Sequence, residues 1–512
     1  MDTTASANTA AVTILRGRWV LTGDRAISSG AIAIQGDTIL AVDDWETLRA
    51  HYPHATVEGS DRDALLPGLI NAHHHSNGIS NVLQGIDDDF LEPWLFALGA
   101  QRSQNTTLKT LLNIAQLLKS GVTTVVDVKT ISGAIDTCHT DLKAHLAAYE
   151  QAGMRVALTP GSNYDSFLVH GEDAAFLNSL PADLAQRVRT HLPLTEDLTK
   201  ADYLALISDF VQTYHDHPHI SVWFGPPGPQ WVGDDLLVEI AAAADRLDTH
   251  IQTHAVESFY EKLLGPRLYG KSVIAHLQTL GVLSPRFSIA HGVWLTRSDL
   301  EILATTGAAV SHNPSSNLRL RAGVAPLNAM LAHGVTVALG MDGTTMGDDE
   351  DLFAEMRLAA RLHRVPQMGE PAPTWAEIFH LATQGGAALM DQAHAIGKLA
   401  PGYRADVVRV NCDRLTWPWV APEADPLHVV LMRARAADVD AVWVNGKQVL
   451  RDGLPTGFDL AAVGAALAEE LKTAGDREMY RAIAADLRPH LLRWYQGWAL
   501  PALSPYAAFN AQ

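Results

Sequence analysis

The sequence predicts an α/β fold, a (β/α)8 TIM barrel with a small discontinuous β-sandwich domain formed by the N- and C-terminal segments. Three observations predict it. Short apolar runs bounded by turn residues alternate with longer stretches of helical periodicity. Several of these runs end in a histidine or a carboxylate, as expected where parallel strands of a barrel converge on a site. β-rich segments with turns flank this region on both sides.

The flanking segments set the predicted domain boundaries. Each half-sheet alone would leave an unpaired edge and an apolar face, so pairing the two into one sandwich is the expected solution. The predicted order is the first sandwich half, the barrel, the second sandwich half and a C-terminal helical extension, at residues 1–65, 66–395, 396–455 and 456–512.

Eight runs are candidate barrel strands, each short and apolar as in strands buried on both faces. They are residues 69–75, 124–127, 154–159, 220–225, 251–257, 288–291, 309–312 and 337–342. Helical spacing of apolar residues fills the gaps. The predicted helices are 108–119, 142–151, 198–214, 236–247, 273–280, 299–305 and 352–362. A doubly wound open sheet is disfavoured because no glycine-rich phosphate loop follows the first run.

Composition excludes several classes of protein. The 512 residues are 47% hydrophobic and carry a formal net charge of -19, which disfavours nucleic acid or an anionic membrane as partner. Two cysteines cannot form a disulfide framework. No signal-peptide pattern and no bilayer-length apolar run is recognised. A cytoplasmic protein is therefore expected.

The first barrel run carries a His-x-His pair. Side chains alternate across a strand, so His73 and His75 point to one side and His74 to the other. Two neutral imidazoles then converge, and nitrogen ligands at about 2.1 Å suit zinc or another borderline divalent metal. A solvent-exposed cluster or a chance triplet is the competing interpretation of this pair taken alone.

Two later strand ends complete a coordination shell. His254 can supply a third nitrogen and Asp342 a carboxylate oxygen, each facing the same mouth. The predicted ligands of one divalent ion are therefore His73, His75, His254 and Asp342. Such ligands accept zinc, the first choice, and also iron(II) or manganese(II). An ion of this kind lowers the pKa of its water to about 7.

Glu257 and His291 are candidate catalytic groups, together with Asp342. Glu257 follows His254 by three residues, where its carboxylate can carry a proton from water to a leaving nitrogen. His291 is open between a fifth ligand, a ligand of a second metal and a hydrogen-bonding proton shuttle. A dinuclear barrel of this general type needs a bridging lysine after the fourth strand, and residues 225–231 contain none. One metal is therefore predicted.

With these residues assembled, the chain resembles the amidohydrolase superfamily, in its cytosine-deaminase-like and chlorohydrolase-like branch with a single metal. The matching segments are Pro67–His75, His254–Glu257, His291–Leu295, Ser311–Leu318, Gly340–Gly343 and Gly397–Asp406. The resemblance extends from about residue 11 to about residue 455. It implies the same four ligands, with His291 assisting the metal-bound water and Glu257 shuttling protons.

The favoured activity is hydrolytic deamination of an amino-substituted N-heterocycle. Deaminating relatives keep a His-x-x-Glu element that some dehalogenating relatives lack, so Glu257 favours expulsion of nitrogen. Relatives that read ribose carry a Glu where this chain has Ser103, and a histidine where it has Pro227 or Gly228. These departures keep open a rival activity, hydrolysis of an amide, urea or cyclic-amide bond. Cleavage of a C–Cl bond and a non-catalytic barrel rank below both.

Five loop residues are candidate substrate contacts. They are Gln84, Trp94, Trp231, His312 and Asn317. An indole can stack on a planar substrate, and amide or imidazole groups can hydrogen-bond it. Loop packing is the competing role for the tryptophans, and anchoring of the loop backbone is the competing role for His312. The predicted partner is a small, planar, nitrogen-containing molecule, and a homodimer or higher homo-oligomer is expected.

Other polar groups and the last helices are given no catalytic role. Asp127 is expected to be an interior hydrogen-bonding group rather than a ligand, and His170 a surface or core residue. Alanine-rich segments at 460–474 and 477–495 predict terminal helices. Packing and subunit contact are both open as their function.

Overall fold

The structure is a computed structural model that describes residues 11–365, 368–369, 372–475 and 477–498. Residues 1–10 and 499–512 of the predicted terminal segments lie outside the described residues. The strands are β1 (Val12–Leu21), β2 (Ala26–Ser28), β3 (Gly30–Gln35), β4 (Thr38–Asp44), β5 (Thr56–Pro67), β6 (Leu69–His74), β7 (Val122–Thr130), β8 (Arg155–Gly161), β9 (Ile220–Val222), β10 (Ile251–Ala255), β11 (Phe287–His291), β12 (Ala309–His312), β13 (Val337–Leu339), β14 (Val407–Asn411), β15 (Val439–Val444), β16 (Lys447–Arg451) and β17 (Leu454–Pro455).

Helices occupy most of the chain between the strands. They are α1 (Trp45–His51), α2 (Leu91–Ala97), α3 (Thr106–Lys119), α4 (Ile135–Ala152), α5 (Asp173–Ser179), α6 (Ala182–His191), α7 (Lys200–Thr213), α8 (Pro229–Val232), α9 (Asp234–Leu247), α10 (Phe259–Leu264), α11 (Val273–Leu280), α12 (Arg297–Thr306), α13 (Pro314–Arg319), α14 (Leu327–Ala332), α15 (Leu352–Leu362), α16 (Trp375–Leu381), α17 (Gln384–Leu389), α18 (Asp413–Thr416), α19 (Pro426–Arg433), α20 (Leu460–Thr473) and α21 (Glu478–Gln496). Among the described helices, none is long and apolar enough to cross a membrane.

One mixed sheet joins the two ends of the chain. Its strand order is β17-β16-β15-β14-β5-β1-β3-β4, with β2 beside β1. The N- and C-terminal segments meet where β5 pairs antiparallel with β14. Ile32 and Ile39, near one end of this sheet, share a buried cluster with Ala441 and Trp443, near the other. The sheet therefore curls so that its two halves enclose a common apolar core.

Eight parallel strands form the central part of the molecule. They lie in two sheets of order β6-β7-β8-β9 and β10-β11-β12-β13. A parallel bridge between Phe224 and Ile251 connects the two sheets on one side. On the other side, the amides of Met341 and Asp342 donate to the carbonyl of His73, at 3.2 and 2.9 Å. These contacts bring the carboxyl ends of β6 and β13, the first and last of the eight parallel strands, together.

The predicted elements of this central part are confirmed, with shifted bounds. Each of the eight predicted strands overlaps one of β6 to β13, and the predicted helices correspond to α3, α4, α7, α9, α11, α12 and α15. Asp127 is the exception to the rule of polar strand ends, because β7 continues to Thr130. As predicted, Asp127 is an interior hydrogen-bonding group: its carboxylate accepts bonds from Ser76, His145 and Tyr149.

The C-terminal helices pack against the loops and helices that surround the parallel strands. Arg102 donates to the carbonyls of Leu471 and Ala474 at the end of α20. Helix α21 inserts Ile483, Leu487 and Leu491 into a buried cluster with α5, α6 and α10. Full burial of an aliphatic side chain stabilises a fold by about 1.5–3 kcal/mol, so these three residues hold α21 firmly in place.

Candidate metal centre and active site

Strand β6, the first of the eight parallel strands, directs two histidines to one point, as the alternation of side chains requires. His73 Nε2 and His75 Nε2 each lie 3.2 Å from Asp342 Oδ1. His75 Nε2 also lies 3.3 Å from His254 Nε2. His74, between them, points away, with Nδ1 3.8 Å from Glu350. The four predicted ligands thus come together at the carboxyl ends of β6, β10 and β13.

The spacing of these atoms fits one divalent ion. Ligand atoms about 2.1 Å from a tetrahedral ion lie roughly 3.4 Å from one another, close to the separations observed. His73, His254, His291 and Asp342 offer ligand atoms that all lie within 4.8 Å of one another. His291 therefore belongs to the same cluster as the four predicted ligands. His75 is not a member of that group of four, but its Nε2 lies 3.2 Å from Asp342 and 3.3 Å from His254.

Hydrogen bonds on the far side of each ring leave the inward nitrogens free to bind. His73 Nδ1 donates to Gln252 Oε1 at 2.9 Å, and His254 Nδ1 donates to the Pro227 carbonyl at 2.7 Å. Nε2 of each ring then carries a lone pair. Nε2 of His73 and of His291 is buried without a hydrogen-bond partner among the described residues. Buried polar atoms are rarely left unpaired, and a cation explains these.

The backbone is strained where the ligands emerge. His291 has a φ of 75° and Asp342 a φ of 59°, both in the left-handed region. Val256, beside the catalytic Glu257 candidate, has a φ of 47°. Such conformations cost about 1–3 kcal/mol each and concentrate at functional sites, where they aim a side chain that regular strand geometry would misdirect.

Electrostatics favour an ionised Asp342 and a neutral His254, while the pKa of His75 is raised because its contact with the Asp342 carboxylate outweighs the effect of burial. Burial alone would raise the pKa of Asp342, but the adjacent imidazoles of His73 and His75 hold it well below its usual range. Burial, and then the neighbouring His73 and His75, lower the pKa of His254 well below its usual value. An ionised carboxylate with neutral imidazoles is the form that coordinates a metal.

Glu257 is a buried acid beside this cluster. Its Oε2 lies 3.5 Å from His291 Nε2, and its backbone amide donates to Glu261. Burial, and then the charges of Glu261, Asp342 and Glu92, raise its pKa well above the usual value. The raised pKa favours the protonated carboxyl group, which is the form that a general acid needs.

A cavity of about 560 Å³ opens onto the cluster. Trp94 and Trp231, two of the predicted substrate contacts, line it. Its walls are largely apolar, with Leu91, Leu95, Phe96, Leu168, Val169, Leu192 and Leu320 among the lining residues. A volume in this range and an apolar lining with few polar groups are typical of small-molecule sites.

The other three predicted substrate contacts lie elsewhere in the described structure. Gln84 bonds loop backbone, donating to the carbonyl of Ile79. His312 is fully buried against His363, with their Nε2 atoms 2.9 Å apart. Asn317 accepts from His291 Nδ1 at 2.9 Å, so it orients that ring. These positions differ from the prediction because a residue after a strand can turn inward to its own loop as readily as towards the mouth.

Sequence reasoning missed several residues of the cavity wall. His170, assigned above to the surface or core, lines the cavity, as do Glu92 and Tyr495. Glu261, fully buried, bonds the amide of Glu257. No strand-end signal marks these residues, because they lie on loops and helices outside the βα repeat.

Comparison with known proteins identifies the family. A model of the amidohydrolase family matches residues 64–449, and a model of an imidazolonepropionase-like composite domain of bacteria matches residues 30–55. The chain belongs to the amidohydrolase family. This confirms the resemblance recognised in the sequence. The family and its deaminase relatives make the chain a hydrolase acting on C–N bonds, as predicted.

Two relatives that are similar over most of their length are named as deaminases. A 5-methylthioadenosine/S-adenosylhomocysteine deaminase of Desulfitobacterium hafniense is 30% identical over 432 residues, covering 83% of this chain and 89% of that protein. A 5'-deoxyadenosine deaminase of Methanothermobacter thermautotrophicus is 30% identical over 434 residues, covering 83% and 90%. Each match spans most of both chains.

Solved structures show the same fold. An adenosine deaminase from Xanthomonas campestris with bound zinc superposes with a TM-score of 0.76 at 25% identity, covering 91% of this chain and 99% of that one. An atrazine chlorohydrolase from Arthrobacter aurescens with zinc gives a TM-score of 0.71 at 23% identity, covering 90% and 100%. The second likeness bears on the fold alone.

Proposed function

We propose that this protein hydrolytically deaminates an amino-substituted N-heterocycle, with aminopurines as the first class to test. The observation that carries the proposal is Glu257, a buried acid 3.5 Å from His291 beside the histidine and aspartate cluster. The similar proteins support the choice of reaction, because their names describe deaminases of adenosine compounds. Water replaces the exocyclic amine, and ammonia leaves.

One metal ion completes the proposed site. His73, His75, His254 and Asp342 would hold it, with zinc the first choice and iron(II) or manganese(II) the alternatives. When bound, such an ion supplies a water acidic enough to ionise near neutral pH. The unpaired buried nitrogens of His73 and His291 support this assignment.

Protein groups move the protons. Glu257, protonated at the carboxyl group, donates to a ring nitrogen of the substrate and so makes the adjacent carbon electrophilic. The hydroxyl group added from water then gives its proton to the Glu257 carboxylate, which passes it to the departing amine. His291, oriented by Asn317, keeps its Nε2 lone pair towards the reacting centre. Asp342, ionised and accepting a hydrogen bond from Ser316, accepts protons at the same place.

The cavity walls supply binding. We propose that Trp94 and Trp231 pack on a planar ring, because both indoles line the cavity. Ser103 does not line this cavity but an adjoining pocket, so any hydroxyl of a substrate in the cavity is recognised by other groups. The proposed substrate is a small, planar, nitrogen-containing molecule.

The finer architecture belongs to the same proposal. The two parallel sheets close into an eight-stranded barrel at residues 66–395, and the curled sheet forms a sandwich from residues 1–65 and 396–455. Contacts at both junctions of the parallel sheets support closure. The extension at 456–512, the homo-oligomer and the cytoplasmic location stay predictions.

Ammonia release tests the function. Purified protein is offered aminopurines, aminopyrimidines, aminotriazines, pterins, ureas and simple amides. The proposal predicts ammonia from an aminoheterocycle and a loss of about 10²- to 10⁴-fold in Glu257→Gln. Glu261→Gln is the matched control, because it removes a neighbouring buried carboxyl group outside the metal cluster, and a smaller loss is expected. Turnover of amides or ureas only would overturn deamination in favour of the rival hydrolysis.

A further inference from the structure

We propose that His170 determines specificity by hydrogen-bonding a polar substituent of the substrate, and that helix α21 holds it in position through Tyr495. This inference rests on the proposed function, since it assumes that the cavity binds a heterocycle. It assigns the C-terminal helix to the active site, a role that its position at the end of the chain does not suggest.

The His170 side chain is a buried polar group that makes no hydrogen bond to a described residue, although its Nε2 lies near the Glu92 carboxylate. The residue is 5% exposed and lines the cavity. Neither ring nitrogen makes a hydrogen bond to any residue that the structure describes. Buried polar groups are nearly always hydrogen-bonded, because an unpaired one loses the free energy of its hydration. A ligand in the cavity that bonds the imidazole removes this penalty.

Glu92 determines which nitrogen faces a ligand. His170 Nε2 lies 3.4 Å from Glu92 Oε1, and the carboxylate favours a hydrogen on that nitrogen. Nδ1 of the neutral ring is then an acceptor. The substituent that it recognises is therefore a donor, a hydroxyl or an N–H group. Glu92 also accepts from Ser258, the residue after Glu257, so this pair stands beside the reacting end of the cavity.

Tyr495 of α21 fixes the position of His170. The backbone amide of His170 donates to the Tyr495 hydroxyl at 3.0 Å. The ring centres of His170 and Tyr495 lie 5.7 Å apart, and the ring centre of Trp231 lies 6.0 Å from that of His170. The amides of Leu168 and Val169 both donate to Asp173, which fixes the loop leading to His170.

Helix α21 is itself fixed over the cavity mouth. Its apolar face is buried against α5, α6 and α10. Arg488 pairs with Asp89, and Arg481 donates to the carbonyl of Gln84, both on the loop after β6. Tyr480 and Tyr495 of this helix line the cavity. A helix held by so many contacts can position a specificity residue without the freedom of a loop.

Binding of a matched ligand pair tests the inference without turnover. Calorimetry in the Glu257→Gln background compares 9-(2-hydroxyethyl)adenine with 9-ethyladenine, which differ by one hydroxyl. We expect the hydroxylated ligand to bind about tenfold more tightly, the typical effect of one net hydrogen bond. His170→Leu should reduce this ratio to within twofold of one. His170→Asn, which retains a polar atom near the Nδ1 position, should restore part of it.

Variants of the helix separate positioning from folding. Tyr495→Phe keeps the ring and removes the hydroxyl that accepts from His170, so the ratio should fall at least threefold. Asp486→Asn, also on α21, removes the charge that pairs with the exposed Arg187 of α6 and should leave the ratio unchanged. If His170 had only a structural role, His170→Leu and Tyr495→Phe would lower the melting temperature, and the ratio of the two affinities would keep its original value.

Two results would overturn the inference. One is an affinity ratio of the two ligands near one when His170 and Tyr495 are both present. The other is an affinity ratio that is unchanged in both His170→Leu and Tyr495→Phe. If His170→Leu does not fold, Tyr495→Phe and His170→Asn decide the matter. Failure of the proposed function is seen separately, as an absence of ammonia release from aminopurines by the Glu257-containing enzyme, whatever the binding ratio.

Discussion

Removal of the Asn317 side chain should disable His291 without dismantling the site. Asn317 Oδ1 accepts from His291 Nδ1 at 2.9 Å, and both side chains are buried. In Asn317→Ala the Nδ1–H loses its acceptor. The amide nitrogen of Asn313, 3.4 Å from the same atom, then favours the other tautomer, in which Nε2 carries the hydrogen. That tautomer turns a donor, not a lone pair, towards Glu257.

The size of the effect follows from the lost bond. An unsatisfied buried donor costs about 1–3 kcal/mol, and 1.4 kcal/mol corresponds to a tenfold change in rate. We therefore expect kcat/KM to fall about 5- to 150-fold. Steady-state ammonia release with the best substrate of the panel measures it, and metal analysis checks that the ion is retained. Asn317→Asp is the matched control, since it keeps an acceptor for Nδ1.

Activity of Asn317→Ala within twofold of the original would refute this reasoning. The same conclusion would follow if Asn317→Asp lost as much activity as Asn317→Ala, because the acceptor would then be irrelevant.

Three further predictions concern binding and stability. Gln252→Leu removes the acceptor of His73 Nδ1, so metal affinity measured by chelator competition should fall about 10- to 100-fold; Gln252→Glu should retain most of it. Burial raises the pKa of Glu355 to about 7, so between pH 4.5 and 7 the folded protein keeps a proton that the unfolded chain loses. The free energy of unfolding should therefore fall by up to about 3 kcal/mol as the pH rises from 4.5 to 7. Glu355→Gln should flatten that fall in urea unfolding. Asp406→Ala leaves the buried Arg155 unpaired and should destabilise the protein by about 3–5 kcal/mol.

Each of these has a contradicting outcome. Unchanged metal affinity in Gln252→Leu would show that the bond to His73 does not support the site. An identical pH profile in Glu355→Gln would assign the titration to other groups. A loss below about 1 kcal/mol in Asp406→Ala would mean that water reaches Arg155.

The sequence predicted the parts that follow from periodicity. Alternation along one strand separates His73 and His75 from His74, and the carboxyl ends of parallel strands must share an edge, which brings His254 and Asp342 to the same place. These are consequences of local geometry. The eight strands were therefore recognisable from short apolar runs alone.

Other features depend on long-range packing, which no spacing reveals. His170 lies on a loop after β8, and its role depends on Tyr495, 325 positions later in the chain. His312 ends β12 and Asn317 follows it closely, yet Asn317 orients His291 and His312 packs on His363. Loop conformation decides such cases, and tertiary contacts determine it.

Metal titration tests the central claim most directly. The protein is stripped with a chelator and reconstituted with increasing zinc, while bound metal and ammonia release are measured together. A single mononuclear hydrolase site predicts activity that rises in proportion to zinc and saturates at about one ion per chain, with His73→Ala binding none tightly. Full activity in the metal-free protein, or saturation at two ions per chain, would contradict it.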